Sequence, residues 1–203
     1  SATSWSTVSN INTTSYTLTN LTIGAAYQFK VSTKCGSTFS AYSPVSSFTT
    51  LNCVSYGINT GMWIDLFSLG TINRLSGAEA GGYVNTGLST NLVIGSTGNA
   101  AQFSAGFPGG VLSQNYCVYI DFNRNGSFNE SNERVFGAAY VGTAGTLNFT
   151  INIPATATPG ITGMRVDMRR TNNGIVGPCI TGFLGETEDY QVNLTTSAFQ
   201  GFG

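Results

Sequence analysis

The chain has 203 residues, 41% hydrophobic and only 8% charged, with 26 glycines and a formal net charge of −1. An ordinary soluble domain is about 25% charged, so the solvated surface here is built from Ser, Thr, Asn and Gly, residues of strands, turns and loops. The balance leaves no basic footprint for nucleic acid and no Lys/Arg cluster for anionic lipid, and no apolar run approaches the roughly 18 residues of a membrane helix. With no histidine in the chain, Ser-His-Asp and Cys-His catalysis and histidine zinc sites are excluded.

In chain order, Ser1-Ala2-Thr3-Ser4 reads as sequence already inside a domain, with any targeting signal elsewhere. Strands are expected where polar and apolar residues alternate: at Ser15-Tyr16-Thr17-Leu18-Thr19, at Tyr27 to Ser32, and at Val45 to Thr50. Between the first two, Leu21, Gly24 and Tyr27 have the spacing of a tyrosine corner, in which the phenol pins a crossover between sheets. After a short junction at 49–52, a second unit opens at Cys53. Its expected strands are "MWIDLFSLGTI", with Trp63, Leu66 and Leu69 as apolar positions, "YCVYIDF", and "TLNFTINIP", with Leu147, Phe149, Ile151 and Ile153 in alternation. In "GMRVDMRR" Met164, Val166 and Met168 share one face while Arg165, Asp167 and Arg169 share the other, and in "DYQVNLT" Tyr190, Val192 and Leu194 alternate. Strands at this spacing, with Gly, Asn and Pro turns and no long helical period, predict an all-β chain of antiparallel sandwich type, jelly-roll-like in its second unit. Residues 197–203 read as a linker.

The nine acidic residues are scarce enough for their placement to carry information. Six fall in two windows: Asp121, Glu130 and Glu133, then Glu186, Glu188 and Asp189. Clustered like charges are unfavourable unless something positive offsets them. In "DFNRNGSFNESNE", Asp121, Asn123 and Asn125 occupy loop positions 1, 3 and 5, with Gly126 at 6. That is the oxygen-ligand spacing of a calcium loop. Position 12 is Asn132, Glu133 follows it, and the flanks are strands, so the loop is not an EF-hand. Two expectations compete. Either both windows share one Ca2+, with Asp121, Asn123, Asn125, Glu133, Glu186, Glu188 and Asp189 as ligands, or Arg165, Arg169 or Arg134 neutralises the carboxylates while Asn125-Gly126 is simply a hairpin turn.

Cys35, Cys53, Cys117 and Cys179 are widely spaced with no CxxC pair, which points to disulfides in an oxidising compartment. Paired carboxylates can hydrolyse glycosides, but no GxSxG elbow, HExxH helix or phosphate loop accompanies them, and no catalysis is expected. Trp5, Trp63, Tyr56, Tyr83, Tyr119 and Tyr140 are candidates to stack on sugars, with core packing as the competing role. Carbohydrate binding requires some of them to share one exposed face.

Two resemblances rest on these residues. "LTNLTIGAAYQFKV" and "SAYSPVSSFTT" resemble strand E, the tyrosine corner, strand F and the last strand of a fibronectin type III domain, with Ile23 where that family usually has proline. The resemblance covers residues 1–50, about the second half of such a domain. Residues 53–195 resemble the GEVED domain family through Cys53-Val54-Ser55-Tyr56-Gly57, "WIDLFSLGTINRLSG", "YIDFNRNGSFNESNERVF", "IPATATPGITGMRVDM" and "GETEDYQVNL". The name motif is here Gly185-Glu186-Thr187-Glu188-Asp189, and Asn125 stands where the family loop has Asp. The resemblance implies a β-sandwich at 51–196, a Cys53–Cys179 disulfide, and a modular setting in secreted or surface bacterial proteins, often exported by type IX secretion. It thus implies an extracellular structural or adhesive module, of a surface protein or fibre, whose partners are neighbouring domains or copies of itself. A carbohydrate-binding accessory domain with a surface glycan as partner, or a targeting appendage of a secreted hydrolase, is the alternative. Neither nucleic acid nor membrane insertion is expected.

Overall fold

The computed structural model describes residues 4–16, 18, 21, 25–50, 53–58, 61–140, 145–170 and 177–197. Its strands are β1 (Ala26–Phe29), β2 (Lys34–Cys35), β3 (Thr38–Phe39), β4 (Ser46–Thr49), β5 (Tyr56–Ile58), β6 (Trp63–Leu69), β7 (Ile72–Leu75), β8 (Tyr83–Val93), β9 (Asn99–Gly106), β10 (Gln114–Ile120), β11 (Arg134–Tyr140), β12 (Leu147–Ile151), β13 (Gly160–Arg170) and β14 (Thr181–Thr195). A single 3-10 turn at Ala80–Gly82 leads into β8. Among the described residues the chain is all-β.

In the first unit β1 pairs antiparallel with β4, and β2 with β3. The alternation at Tyr27 to Ser32 and at Val45 to Thr50 thus yields β1 and β4. The expected strand at 15–19 differs. Ser15, Tyr16 and Leu18 lie outside any strand, and residues 17 and 19 are outside the described ones. Alternation marks a face but makes no strand until a neighbour takes up the backbone N–H and C=O groups. Residues 22–24, which include Gly24 of the expected tyrosine corner, lie outside the described residues, as does most of the expected linker at 197–203.

The second unit packs two sheets face to face. The larger runs β11-β10-β13-β14-β5, with β8 also on β14, and the smaller runs β12-β9-β6-β7. β14 is long enough to take two parallel partners, β5 along its first residues and β8 along the rest. The alternation in β13 and β14 points Met164, Val166, Met168, Tyr190, Val192 and Leu194 inward against Ile64, Phe67, Leu69, Phe103 and Ile151 of the smaller sheet. Each such side chain contributes about 2 kcal/mol of burial free energy. Phe67 meets Tyr190 at 5.1 Å and Phe103 meets Tyr116 at 3.9 Å between ring centres.

The face of β6 departs from simple alternation. Ile64, Phe67 and Leu69 are buried, whereas Trp63 and Leu66 are only half-buried. The pairing of β6 with β9 slips between Ile64 and Leu66, and a bulge of this kind moves each following side chain to the opposite face.

The outer face of the larger sheet is covered too. Residues 53–55 lie against it before β5 joins the sheet, and a second small core of Cys53, Cys117, Tyr119 and Phe128, with Cys179 against it, forms there. The backbones approach so closely where β5 joins that side chains are excluded. A Cβ on Gly57 would lie 1.8 Å from the Gly185 carbonyl oxygen, and one on Gly185 would lie 1.9 Å from that of Met168. Gly185 also has φ +138°, a region closed to other residues. The glycine that opens the GETED motif is thus required by the meeting of β5, β14 and β13. Gly185→Ala is expected to cost about 3 kcal/mol or more through strain and overpacking. Urea unfolding of the variant measures this, and a loss below about 1 kcal/mol would mean the strands part easily.

Candidate functional site

The loop from Asp121 to Glu133 joins β10 to β11 at one end of the sandwich. Asp121 is buried, and its two carboxylate oxygens accept the N–H groups of Asn125 at 3.1 Å and Gly126 at 2.9 Å. Asn123 Oδ1 accepts Asn125 N–H at 2.9 Å, and Asn125 Oδ1 accepts Ser127 N–H at 2.8 Å. Every predicted oxygen of positions 1, 3 and 5 therefore folds the loop around itself. Burial raises the Asp121 carboxyl above its usual range, against the lowering effect of these N–H groups.

Glu133 is fully buried. One of its oxygens accepts Phe122 N–H at 3.1 Å. Oε2 of Glu133 and Oε2 of Glu130 are buried, and no donor of another residue reaches them. Burial, then the neighbouring Glu130 and Asp121 carboxylates, push Glu133 up to about 8. Its hydrogen bond with Glu133 in turn pulls Glu130 down to about 2. Together the two carboxyls hold a single proton at neutral pH. Glu130 was not among the expected ligands. Its position between Asn125 and Glu133 was visible, but nothing in the sequence told which way it would turn.

The second window is organised differently. Glu186 is fully buried, and its oxygens accept Ile64 N–H at 2.7 Å and Glu79 N–H at 2.6 Å. Glu188 accepts from the Arg74 guanidinium and the Tyr190 hydroxyl, and Arg74 also pairs with Glu79. Asp189 takes both Nε and Nη2 of Arg165, each at 2.7 Å, and the Tyr83 hydroxyl at 3.1 Å. Glu186, Glu188 and Asp189 are thus served by donors from β6, β7, β8, β13, β14 and the segment before the 3-10 turn. Among the described residues no group of three or more His, Cys, Asp or Glu side chains is arranged to hold a metal ion. The alternative expectation, neutralisation by arginine, describes Asp189 with Arg165, while Arg169 turns to Asp167.

Arg165 does more than pair. It is 2% exposed, stands opposite Asp189 in the register of β13 and β14, and lies 5.2 Å from the Phe128 ring. Nη1 donates to the carbonyls of Cys53 at 2.8 Å and Pro178 at 2.9 Å. Cys53 and Cys179 are joined in a disulfide across 126 residues. Closing a loop of that length is worth about 5 kcal/mol in the chain-entropy model. Beside it, Ser55 Oγ lies 3.0 Å from Thr187 Oγ1, which donates to Asp167 at 2.7 Å. Cys117 is buried and free, and Cys35 is exposed and free.

Of the candidate sugar-stacking aromatics, Tyr119 is buried and Trp63 half-buried. Trp5 is exposed, with the Lys30 ammonium 4.7 Å from its ring centre, and Tyr56 and Tyr83 are exposed at 43% and 38%. The Tyr140 side chain is outside what is described.

Arg165→Met removes the cation and strands the Asp189 carboxylate, which should cost about 3–5 kcal/mol. In a Cys53→Ala/Cys179→Ala background the two losses should add to less than their sum, because both fasten the same segment. Urea unfolding of the four proteins checks this. Glu188 supplies a pH test. Burial above all raises it from 4.5 to about 7, opposed by the Tyr190 hydroxyl and Arg74. The folded state then holds its proton more tightly than the unfolded state, so this group's stabilisation is complete below about pH 4.5 and is lost as pH rises through 7. Glu188→Gln should flatten the fall in urea midpoint between about pH 5 and 8, and an unchanged slope would place its origin elsewhere.

Residues 115–193 match the family model of the GEVED domain. Among solved structures, that of a CARDB domain from Pyrococcus furiosus, in complex with di-metal ions, is similar at 11% identity with a TM-score of 0.34, over 68% of this chain and 93% of that one. No curated protein matches. The match takes in β10 to β14, with the Asp121 loop and the GETED strand both inside it, so over residues 115–193 the chain is similar to the GEVED domain.

Proposed function

We propose that this chain is a non-catalytic structural and adhesive module of a secreted or surface bacterial protein, held rigid by a calcium ion in the Asp121 loop and by the Cys53–Cys179 bridge. The observation that carries the calcium reading is the pair of buried oxygens on Glu130 and Glu133 that face each other's carboxyl and no donor of another residue. Glu133 Oε1 accepts Phe122 N–H and Glu130 Oε1 accepts Asn125 Nδ2, but two adjoining carboxyl oxygens with no further donor are costly to bury charged, and a hard cation that takes oxygen ligands answers that cost. Asp121, Asn123, Asn125, Glu130 and Glu133 are the residues to hold it, with amide and backbone oxygens making up a set that carboxylates alone do not fill. The ion would supply positive charge and a cross-link and take no part in any reaction.

The loop's connections support a spacer role. Arg124, at φ +60°, donates from Nε to the Ile161 carbonyl at 3.1 Å, from Nη1 to that of Pro159 at 3.0 Å, and from Nη2 to that of Ser47 in β4 at 3.3 Å. A loop fixed by a cation therefore also fixes the start of β13 and the contact with the first unit. The disulfide fits an oxidising, extracellular setting, and no helix among the described residues is long and apolar enough to cross a membrane. Neighbouring domains of the same protein, or further copies of it, are the partners such a module meets.

Thermal melts with chelator and with calcium test the reading. Calcium at about 100 times its Kd stabilises by about 2.7 kcal/mol, so a rise of several degrees in Tm is expected. Glu133→Gln should leave the chelated protein's Tm unchanged or higher and abolish the calcium response, whereas Asn125→Asp should tighten binding by adding ligand charge. Equal melts with and without millimolar calcium would remove the ion from the proposal.

A further inference from the structure

A cavity of 720 Å3 opens on the outer face of the larger sheet, beside the segment that carries Cys53. Its floor comes from the register of β13, β14 and β8, where Gly163 stands beside Gln191, and Asp189 stands between Arg165 and Asn85. Gly163 has no side chain, so the floor is hollow there. Tyr56 and Tyr83 line it from the sandwich and Phe48 from the first unit. The Tyr83 hydroxyl is held by Asp189 at 3.1 Å, which fixes the ring while leaving its body exposed.

We infer that this groove is a binding site for a neutral saccharide, with the Tyr56 and Tyr83 rings as stacking surfaces and the Asn85 and Gln191 amides as hydroxyl partners. The volume falls within the usual range of ligand sites, about 300–1,000 Å3. The choice of ligand follows from the charges. Asp189 is already answered by both arms of Arg165. Asp121 accepts loop N–H groups, and all three Arg124 nitrogens donate to carbonyls. An anionic ligand would find no cation without an acceptor, and a purely apolar one would face exposed amides that it could not satisfy. A pyranose has C–H faces for aromatic rings and hydroxyls for amides, so it satisfies both kinds of wall. The inference does not depend on calcium, and keeping calcium present throughout the test separates the two.

Affinity electrophoresis through gels containing xylan, mixed-linkage glucan, galactomannan or, as an anionic control, alginate provides the test. At least one neutral polysaccharide should retard the protein. Tyr56→Ala and Tyr83→Ala should each weaken that retardation about tenfold, with Tm unchanged. Tyr83→Phe keeps the ring and should stay within about threefold of the parent. Should either alanine variant lower Tm, Gln191→Ala, at an exposed position, takes its place and should also weaken binding. No retardation by any neutral polysaccharide, retardation by alginate alone, or retardation unchanged in folded Tyr56→Ala and Tyr83→Ala would each overturn the inference.

Discussion

A guanidinium removed from water loses several kcal/mol of hydration unless its donors are met, and Arg165 is buried in the middle of a sheet face. The acceptors that meet it come from three separate places in the chain: Asp189 on β14, the Cys53 carbonyl at the start of the unit, and the Pro178 carbonyl beside the second cysteine. None can be withdrawn without exposing the charge or leaving it unpaired. The segment that carries Cys53 is therefore held over the sheet by polar bonds as well as by the disulfide, and its covering role gives the larger sheet two buried faces. That explains why all seven residues of β10 are buried although only alternate ones face the other sheet. It also explains why a chain so poor in charge keeps Arg165, Asp167, Arg169 and Asp189 inside.

Much of this fold was legible because the second unit's strands are cut to one period. Met164, Val166 and Met168, and Tyr190, Val192 and Leu194, point where alternation places them. β6 was misread at Trp63 and Leu66 because a bulge is a property of the pair, set by how β9 runs beside it. The disulfide and the Asp121 turn followed from motif resemblance and from short-range spacing, both of which survive in one dimension.

The acidic windows show where that legibility ends. Counting carboxylates located both clusters, but it could not say what each carboxylate would meet. The partners of Glu186 are backbone N–H groups of Ile64 and Glu79, more than a hundred positions away and anonymous in the sequence. The partner of Asp189 is Arg165, 24 positions away and visible, but opposite it only once the β13–β14 register is known. Two carboxylate clusters that look alike on paper are therefore different objects, one fully served by protein donors and the other with buried oxygens still open.

This difference decides where a cation belongs. A metal competing for Asp189 would have to displace the buried Arg165, and it would replace one buried charge problem with another; one competing for Glu188 would have to break its pairing with Arg74. In the Asp121 loop the same ion displaces only a proton shared between Glu130 and Glu133, while the Asx bonds that shape the loop use N–H groups and leave lone pairs on Asp121 and the two asparagines. On the proposed reading, arginine and cation are alternative solutions to one problem. Inside the sheet, where backbone is fixed and dry, a side chain supplies the charge. At the hairpin end, where Gly126 permits the tight turn and solvent is near, the charge can come from outside, and the strength of that end of the module then depends on what the medium contains.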